Sequence, residues 1–367
     1  MEESTIAPEV QAILNGKDAN DGPIFSVLVK RTYDIKPGAA CARSERASPL
    51  VKLDEYYDDA DPEWATVKYE TDLTPFKLAT DVVIIGSAFA PGRKAVPVLD
   101  VSVEVAGRRK TLRVSGDRRC IYRTKSAPTI TEPIPFAEMP VRYERAYGGR
   151  DTKSIPGEPF YYPRNQSGIG VALKNSKDAI DGLPLPNIED PGDLLSPERI
   201  VLGEPERWSD QPLPDGLGWF QRTWYPRCSF VGAMPAYVNI DTVLREEKLG
   251  LIPKGQIALS WQCKLPSFDV RFNSGASRGL VTPYLGGNET IRLTNLTPDG
   301  SLTFRLPDEK PRIMLDIGLG ENELKVVIHT VCIRLDAMQV DLVWRAAHEY
   351  PGLDWLPEMK KMTTHVS

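Results

Sequence analysis

Three kinds of side chain in this sequence could carry out chemistry: histidines, cysteines and closely spaced carboxylates. The histidines are His329, His348 and His365, and His329 alternates with Val327 and Val331 in a β-rich stretch. A lone histidine at such a position is more often a satisfied structural residue than a catalytic base. The histidines and cysteines offer no pair of nucleophile and base, so their pattern does not predict an enzyme.

The cysteines do not indicate a catalytic or metal-binding site either. They are scattered and never form a C-x-x-C pair, at Cys41, Cys120, Cys228, Cys263 and Cys332. This spacing fits neither a disulfide framework nor a tetrahedral zinc site. We therefore expect free, half-buried thiols in a reducing compartment, with no metal and no cofactor.

Two short motifs place carboxylates where a glycosidase-like pair could form. Asp117 lies in SGDRR, and Glu189 and Asp190 lie in LPNIEDP. Such a pair must face each other across a cleft at a defined separation, which sequence spacing does not determine. The alternative is a turn aspartate at Asp117 and a capped loop from Asn187 to Asp190.

Arginine recurs beside aromatic residues, and this pattern is the most informative one. Such neighbours either anchor loops inside the fold or form part of a protein interface, where Tyr, Trp and Arg are enriched. We predict that residues 142–147 join the first β-rich region to the middle of the chain. The candidate anchor or partner-binding residues are Arg142, Tyr143, Arg145, Tyr147, Asn187, Glu189, Trp224 and Arg227.

The elements that must position these residues are predicted to be strands. Ile24–Ile35 is β-branched and aromatic, and it is expected to be a buried strand that becomes one-sided after Val29. Val98–Val114 alternates as a hairpin with a turn at Gly107-Arg108. Val141–Tyr147 is a further predicted strand, and a short helix is predicted at Ile240–Lys248.

The closing part of the chain predicts a meander and then a terminal helix. The three stretches Arg312–Ile317, Leu324–Leu335 and Gln339–Ala346 resemble antiparallel strands, and Leu353–Met362 is predicted to be helical. The 32 prolines favour short strands and long ordered loops. The predicted fold class is mainly β, with antiparallel, sandwich-like sheets, long proline-rich loops and one or two short helices.

The predicted domain organisation is one unit with extensions at both ends. Residues 1–21 are expected to be an N-terminal tail, and residues 348–367 a C-terminal helix and tail. Between them, residues 22–347 form either a single domain or two β lobes, 22–149 and 217–347. Proline and glycine crowd residues 150–216, but the aromatic residues there argue against a free linker.

Charge and hydrophobicity exclude some classes of partner. The formal net charge is -5, and no basic block of the kind that binds nucleic acid occurs. No apolar run approaches the length that spans a bilayer, and the first twenty residues lack the pattern of a secretory signal. We therefore expect a cytoplasmic protein that binds neither nucleic acid nor membrane.

A series of motifs, in order along the chain, resembles one bacterial family. This is the family catalogued as domain of unknown function 2169, and the resemblance covers roughly residues 22–347. The motifs are FSVLVKRTYDI from Phe25, Lys77-x-x-x-Asp81-Val82, GSAFAPG from Gly86, SGDRR from Ser115, PFAEMPVRYERAYGG from Pro135, LPLPNIEDP from Leu183, WYPR from Trp224, LTNLTPDG from Leu293 and LDAMQVDLVWRA from Leu335.

The resemblance implies a function in protein delivery. Members of this family are encoded beside type VI secretion spike and effector genes, and they are regarded as adaptors or chaperones that load a toxic effector onto the spike. The expected partners are therefore an effector and a spike protein. The alternatives are a structural or accessory component of a secretion or phage-like assembly, and a carbohydrate-active hydrolase on a β scaffold.

Overall fold

Two large sheets hold most of the regular structure, and the fold is mainly β, as the sequence predicts. The computed structural model describes residues 10–20, 22–58, 64–124, 126–234, 240–252, 254–255, 268–316, 321–350 and 363–366. Within these ranges, no helix is long and apolar enough to cross a membrane.

The larger sheet combines strands from both ends of the chain. They are β1 (Val10–Lys17), β2 (Pro23–Asp34), β3 (Ala42–Arg43), β6 (Thr80–Ile85), β18 (Val281–Thr282), β23 (Val326–Arg334) and β24 (Gln339–Glu349). The order is β1-β2-β24-β23-β6-β18, and β3 pairs with β2. Its pairs are antiparallel apart from β6 and β23, which are parallel.

The second large sheet has five strands. They are β8 (Val98–Val105), β9 (Arg108–Ser115), β17 (Ile188–Glu189), β19 (Thr290–Thr294) and β20 (Ser301–Arg305), in the order β17-β9-β8-β19-β20. The predicted hairpin is confirmed as β8 and β9, but its turn lies one residue earlier, at Ala106-Gly107. Both turn residues have positive φ, 48° and 74°, as this tight hairpin turn requires, so Arg108 already belongs to β9.

Small sheets and short helices complete the regular structure. The remaining strands are β4 (Glu55–Tyr56), β5 (Val67–Tyr69), β7 (Ser87–Phe89), β10 (Cys120–Ile121), β11 (Thr129–Ile130), β12 (Glu138–Pro140), β13 (Tyr147–Gly148), β14 (Arg150–Asp151), β15 (Phe160–Tyr161), β16 (Ile169–Gly170), β21 (Ile313–Asp316), β22 (Glu321–Glu323) and β25 (Thr363–Val366). The α-helices are α1 (Lys177–Ile180) and α2 (Ile240–Lys248), and α2 has the predicted bounds. Single 3-10 helices occur at Pro91–Arg93, Tyr143–Arg145, Pro197–Arg199, Pro205–Asp210, Arg227–Val231 and Val270–Asn273.

One hydrophobic core is shared by the two large sheets, as a sandwich-like arrangement requires. Alternation along β8 turns Val101, Val103 and Val105 into this core, where they are almost fully buried. From the larger sheet, Val331 and Leu342 join the same cluster. The core therefore depends on strands that are more than 200 residues apart in the sequence.

The middle of the chain has a second core of its own. Four buried aromatic rings pack edge to face in a row, with centroid distances of 5.1 Å for Tyr147–Tyr162, 6.3 Å for Tyr162–Trp208 and 5.2 Å for Trp208–Tyr225. Such pairs add to the stabilisation that burial of the rings supplies. Residues 150–216 are thus ordered by side-chain packing, although only short elements of regular structure occur there.

Three predicted strands differ from the structure. Both faces of β2 stay buried after Val29, whereas the sequence predicts that one face becomes exposed. The loop before β6 covers this face, and Lys30 forms a buried ion pair with Asp72 at 2.9 Å. Residues 141–146 are not part of a strand: β12 ends at Pro140, a 3-10 turn then lets Tyr143 and Ala146 both be buried, and β13 begins only at Tyr147. The predicted meander holds for the β23 and β24 hairpin, whereas β21 pairs with β22 and β25 in a separate sheet.

The ends of the chain also differ from the prediction. The tail expected over residues 1–21 contains β1, which supplies partners for the backbone groups at the outer edge of β2. At the other end β24 continues to Glu349 and residues 363–366 form β25, while the predicted helix at Leu353–Met362 lies outside the described residues. Both large sheets combine strands from 22–149 and 217–347, so neither sheet belongs to one of those ranges alone.

Candidate functional site

Arg145 and Asn187 tie the end of the first hairpin to the middle of the chain. The Arg145 guanidinium donates from Nη1 to Asn187 Oδ1 at 3.0 Å and to Asp117 Oδ1 at 3.4 Å. Asn187 in turn donates from its backbone N–H to the Arg145 carbonyl, at 2.8 Å, and from Nδ2 to Ser115 O and Asp117 Oδ1. One nitrogen of Arg145 serves both acceptors instead of a two-pronged contact, and the Arg145 side chain is 37% exposed.

The carboxylates considered as a catalytic pair are each engaged by a different arginine. Glu189 accepts from Arg118 Nη2 and from the backbone N–H of Leu195. Asp190 accepts from Arg278 at 2.7 Å, and Asp117 accepts from Arg145 as described above. These contacts match the alternative interpretation of the two motifs, in which the carboxylates fix a turn and a loop.

Tyr143 joins the anchor to the WYPR motif through its ring and its hydroxyl. The ring packs edge to face against Trp224, with a centroid distance of 5.3 Å, and against Phe220 at 5.9 Å. The hydroxyl shares a hydrogen bond of 2.8 Å with Ser277 Oγ. Burial raises the pKa of Tyr143 well above its ordinary value, so the hydroxyl keeps its proton at neutral pH.

Arg227 forms the most extensively bonded buried contact of this region. It donates to both carboxylate oxygens of Glu70, at 2.8 and 2.6 Å, and to the carbonyls of Phe220 and Phe272. Arg222 also binds Glu70. Burial by itself would raise the pKa of Glu70, but the two guanidinium groups outweigh it and lower that pKa below its usual value.

Beside the Glu70–Arg227 ion pair, position 275 has room only for a glycine. A Cβ atom at Gly275 would collide with the Glu70 carboxylate and would lie 2.7 Å from Arg227 Nη1. The backbone N–H of Gly275 donates to Asp81 Oδ2 at 2.9 Å, which holds the loop in place on β6. The contact therefore joins the loop before β6, the WYPR motif and the loop before β18.

The aromatic partners of the arginines are distant in sequence. Arg142 stacks on Tyr57 at 3.9 Å from the ring centroid, Arg227 lies over Phe272, and Arg345 lies over Phe76. None of these three contacts joins residues that are neighbours in the sequence. Among the other predicted residues, Tyr147 donates a hydrogen bond from its hydroxyl to Gln211 Oε1, at 3.2 Å. We call the eight predicted residues the anchor cluster; each of them contacts another part of the chain, and Arg142 is exposed.

One motif escaped the sequence analysis. Residues 275–279 are GASRG, which matches the Gly-x-Ser-x-Gly pattern of a hydrolase nucleophile elbow. The structure places Ser277 in a turn that leads into β18, fully buried, with its hydroxyl bonded to Tyr143 and to the Gly218 carbonyl. The elbow requires a sharp turn from strand to helix that exposes the serine, and this setting differs on both counts.

His329 and the described cysteines are buried. Among the described residues, His329 Nε2 has no hydrogen-bond partner, and burial keeps the pKa of His329 well below its ordinary value. Cys41, Cys120, Cys228 and Cys332 are free, and burial raises the pKa of each thiol, to about 11 for Cys41 and about 12 for the others. Among the described residues, no group of histidine, cysteine and acidic side chains is placed to hold a metal ion.

Two mainly apolar pockets border the 3-10 helix Arg227–Val231. Pocket A has a volume of about 330 Å³ and is lined by Tyr143, Arg164, Leu213, Pro214, Phe220, Tyr225, Pro226, Arg227, Phe230, Glu246, Leu251, Ser274, Ala276 and Arg278. Pocket B has a volume of about 470 Å³ and is lined by Tyr161, Pro163, Gln166, Arg222, Thr223, Cys228, Val231, Ala233, Met234 and Phe272. Pockets of this size and composition are suited to apolar side chains.

Three polar side chains in the wall of pocket A, those of Arg164, Tyr225 and Glu246, interact with one another. Glu246 accepts from the Tyr225 hydroxyl and from Arg164 Nη2, and the Arg164 guanidinium lies over Trp208, 4.8 Å from the ring centroid. Burial and the neighbouring Glu246 raise the pKa of Tyr225, so its hydroxyl remains a donor. These bonds hold the Arg164, Tyr225 and Glu246 side chains in place in the wall of pocket A.

Exposed apolar side chains concentrate in the part of the chain that follows the 3-10 helix Arg227–Val231. Of the thirteen large hydrophobic residues that are exposed in the described part of the chain, six lie between residues 231 and 268: Val231, Ile240, Leu244, Leu249, Leu251 and Phe268. The spacing of Ile240, Leu244 and Leu251 on and after α2 is the sequence signal that could have indicated this surface. The anchor cluster contributes only Tyr143 and Arg227 to the wall of pocket A.

Comparison with known proteins identifies the family. No curated protein and no solved structure matches the chain. A family model described as an uncharacterized protein conserved in bacteria matches residues 20–345, which is most of the chain. The chain therefore belongs to this bacterial family of uncharacterized proteins, DUF2169.

Proposed function

We propose that this protein is an adaptor or chaperone that binds a type VI secretion effector in the cytoplasm and helps to load it onto the spike complex. The observation that supports this best is the pair of apolar pockets on either side of one rigid turn, in the region where exposed hydrophobic side chains concentrate. Exposed apolar surface of this kind is typical of a protein interface. Family membership supports the same proposal through the genes that its members accompany.

An adaptor must hold its client and later release it. A large surface of moderate affinity suits that task better than one deep pocket, and ordered loops on a β scaffold supply such a surface. Binding would also protect the effector. By mass action, an adaptor present at a hundred times its dissociation constant stabilises the folded effector by about 2.7 kcal/mol.

Co-purification tests the proposal directly. The tagged protein should retain the effector and the spike protein that are encoded by the neighbouring genes. Deletion of its gene should leave the secretion machine assembled, while the cognate effector disappears from the secreted fraction. The adaptor proposal is wrong if neither protein co-purifies and the deletion strain secretes the effector at the normal level.

Two other outcomes would favour the alternatives. Stable, stoichiometric presence in purified secretion particles would indicate a structural component instead of an adaptor that leaves. Hydrolysis of a polysaccharide, abolished by Glu189→Gln, would indicate a hydrolase. The structure offers no support for the latter, since Glu189 is bound to Arg118 and to a backbone amide.

A further inference from the structure

A third pocket lies where turns of the two large sheets meet. This pocket C has a volume of about 480 Å³, and it shares no lining residue with pockets A and B. Its wall comes mainly from the turn between β19 and β20, the turn between β23 and β24, and the segment that contains β7. The motifs GSAFAPG, LTNLTPDG and LDAMQVDLVWRA, which pockets A and B do not use, thus contribute to one surface.

Backbone hydrogen bonds hold these three segments together. The N–H of Phe89 donates to the Asn295 carbonyl at 2.8 Å, and the N–H of Leu335 donates to the Ile85 carbonyl at 3.0 Å. The segment that contains β7 therefore links a turn of one large sheet to a turn of the other. Loops positioned in this way by a β scaffold are common places for binding.

The inner wall of pocket C is apolar, and acidic side chains lie at its outside. Leu296, Leu302 and Leu335 line the pocket and are buried, while Phe89 and Met338 are partly buried. The acidic lining residues are all exposed, and each belongs to a different segment: Glu138 to β12, Asp299 to the β19–β20 turn and Asp336 to the β23–β24 turn.

The charge of pocket C is uncompensated within the described part of the chain. No lysine, arginine or histidine lines the pocket, and none of its three carboxylates forms an ion pair with a described residue. Glu189 and Asp190, in contrast, are each bound to an arginine. An acidic surface without partners of its own complements a ligand with positive charge.

The arrangement of the carboxylates favours a basic segment of a protein over a single metal ion. Among the described residues, no group of acidic side chains is placed to hold a metal. A lysine or arginine side chain combines an aliphatic stem with a charged end, so it matches a pocket with an apolar inner wall and acidic groups outside. Carboxylates on separate turns can also contact several basic residues of one segment.

We infer that pocket C binds a basic segment of a protein partner, with the stem of a lysine or arginine against the apolar wall and its charged end among Glu138, Asp299 and Asp336. This inference rests on the proposed adaptor function and extends it. An adaptor must hold an effector and a spike protein at the same time, so it requires a second surface besides pockets A and B.

The test measures binding of the purified full-length protein to the purified effector and, separately, to the purified spike protein of the neighbouring genes. The triple variant Glu138→Gln, Asp299→Asn, Asp336→Asn keeps the shapes of the side chains and removes three charges. It should bind one of the two proteins about tenfold more weakly or worse, because three exposed ion pairs are lost together. The control Glu45→Gln, Glu132→Gln, Glu158→Gln removes the same charge at exposed positions outside the pocket.

Salt and chelation distinguish the nature of the contact. Raising the ionic strength from about 0.05 M to about 0.5 M should weaken binding by the wild type and have less effect on the triple variant. Excess EDTA should leave wild-type binding unchanged. Loss of binding in EDTA, restored by calcium or magnesium, would assign the carboxylates to a metal ion and overturn the inference.

The outcomes separate this inference from the proposed function. If the wild-type protein binds neither effector nor spike, the adaptor function fails and the inference fails with it. If the wild type binds at least one of them and the triple variant binds as tightly as its control, only the inference is overturned. Thermal melts that match wild type for both triple variants show that any loss of binding comes from the pocket and not from unfolding.

Discussion

Glu70 illustrates, at the scale of single residues, how a buried charge can hold distant parts of the chain together. It lies before β6, and both of its oxygens bind Arg227, 157 residues later. Removing one partner of a buried pair leaves the other charge uncompensated, which is far more costly than the net contribution of the pair itself. Glu70, Arg227 and Gly275 therefore act as one unit.

The lowered pKa of Glu70 leads to a prediction about pH. A carboxylate with a lower pKa in the folded protein contributes stability above its unfolded pKa, near 4.5, and that contribution is lost as the pH falls through the folded value. Glu70→Gln should cost about 3–5 kcal/mol at pH 7. The difference from wild type should shrink below about pH 4.5, as measured by urea unfolding between pH 7 and pH 3.

The exposed Glu132 supplies the control for this experiment. Glu132→Gln should leave the free energy of unfolding close to that of wild type at neutral pH, because a substitution on the surface usually changes it by less than about 0.5 kcal/mol. A Glu70→Gln variant as stable as Glu132→Gln at pH 7 would contradict the structural role of the Glu70–Arg227 ion pair.

Arg145 provides the residue-scale prediction for the anchor cluster. Arg145→Ala should lower the free energy of unfolding by about 1–2 kcal/mol, because Asn187 loses a partner in a partly buried place. Arg207→Ala is the control, since its ion pair with Asp210 is exposed and should contribute less than about 1 kcal/mol. If Arg145→Ala melts like wild type yet fails to bind the effector, Arg145 belongs to an interface instead.

At the scale of elements, the middle of the chain shows that order does not require long helices or strands. Residues 150–216 contain only two-residue strands, one four-residue α-helix and two 3-10 helices. They nevertheless contribute to a row of buried aromatic rings. The high proline content fixes backbone angles and so lowers the entropy that folding must overcome. Packing of the aromatic rings then determines one conformation.

Trp208 is where that packing can be tested. Trp208→Ala should cost about 3–5 kcal/mol, because the ring is fully buried and packs edge to face against Tyr162 and Tyr225. Trp64→Ala is the matched control: Trp64 is only half-buried and stacks on Tyr161 at 5.2 Å, so its loss should cost about 1 kcal/mol. Denaturant unfolding measures both, and equal midpoints for Trp208→Ala and wild type would contradict the second core.

At the scale of the whole molecule, the two ends of the chain meet in one sheet. β2 pairs along eleven residues with β24, and β23 lies parallel to β6. The first and last thirds of the chain thus complete the same core, and the loops between them carry the pockets. Loops carried on a β scaffold are an arrangement common at binding surfaces.

Some features follow from the sequence alone because they are local. Alternation of apolar residues specifies the β8 and β9 hairpin, and the pattern of residues 240–248 specifies α2, since both depend on backbone preferences and side-chain periodicity within a few residues. The mainly β class and the family also follow, from composition and from motifs in order.

Other features were decided only by the tertiary structure. The partners of Arg142 and Arg227 are Tyr57 and Glu70, which no spacing along the chain indicates. Pocket A combines side chains that are far apart in the sequence, such as Tyr143 and Arg278, which are separated by 135 residues. The strand β1 lies where the sequence predicts a tail. The physical reason is that local preferences fix the direction of each short element, whereas contacts between elements depend on how the whole chain satisfies its buried groups at once.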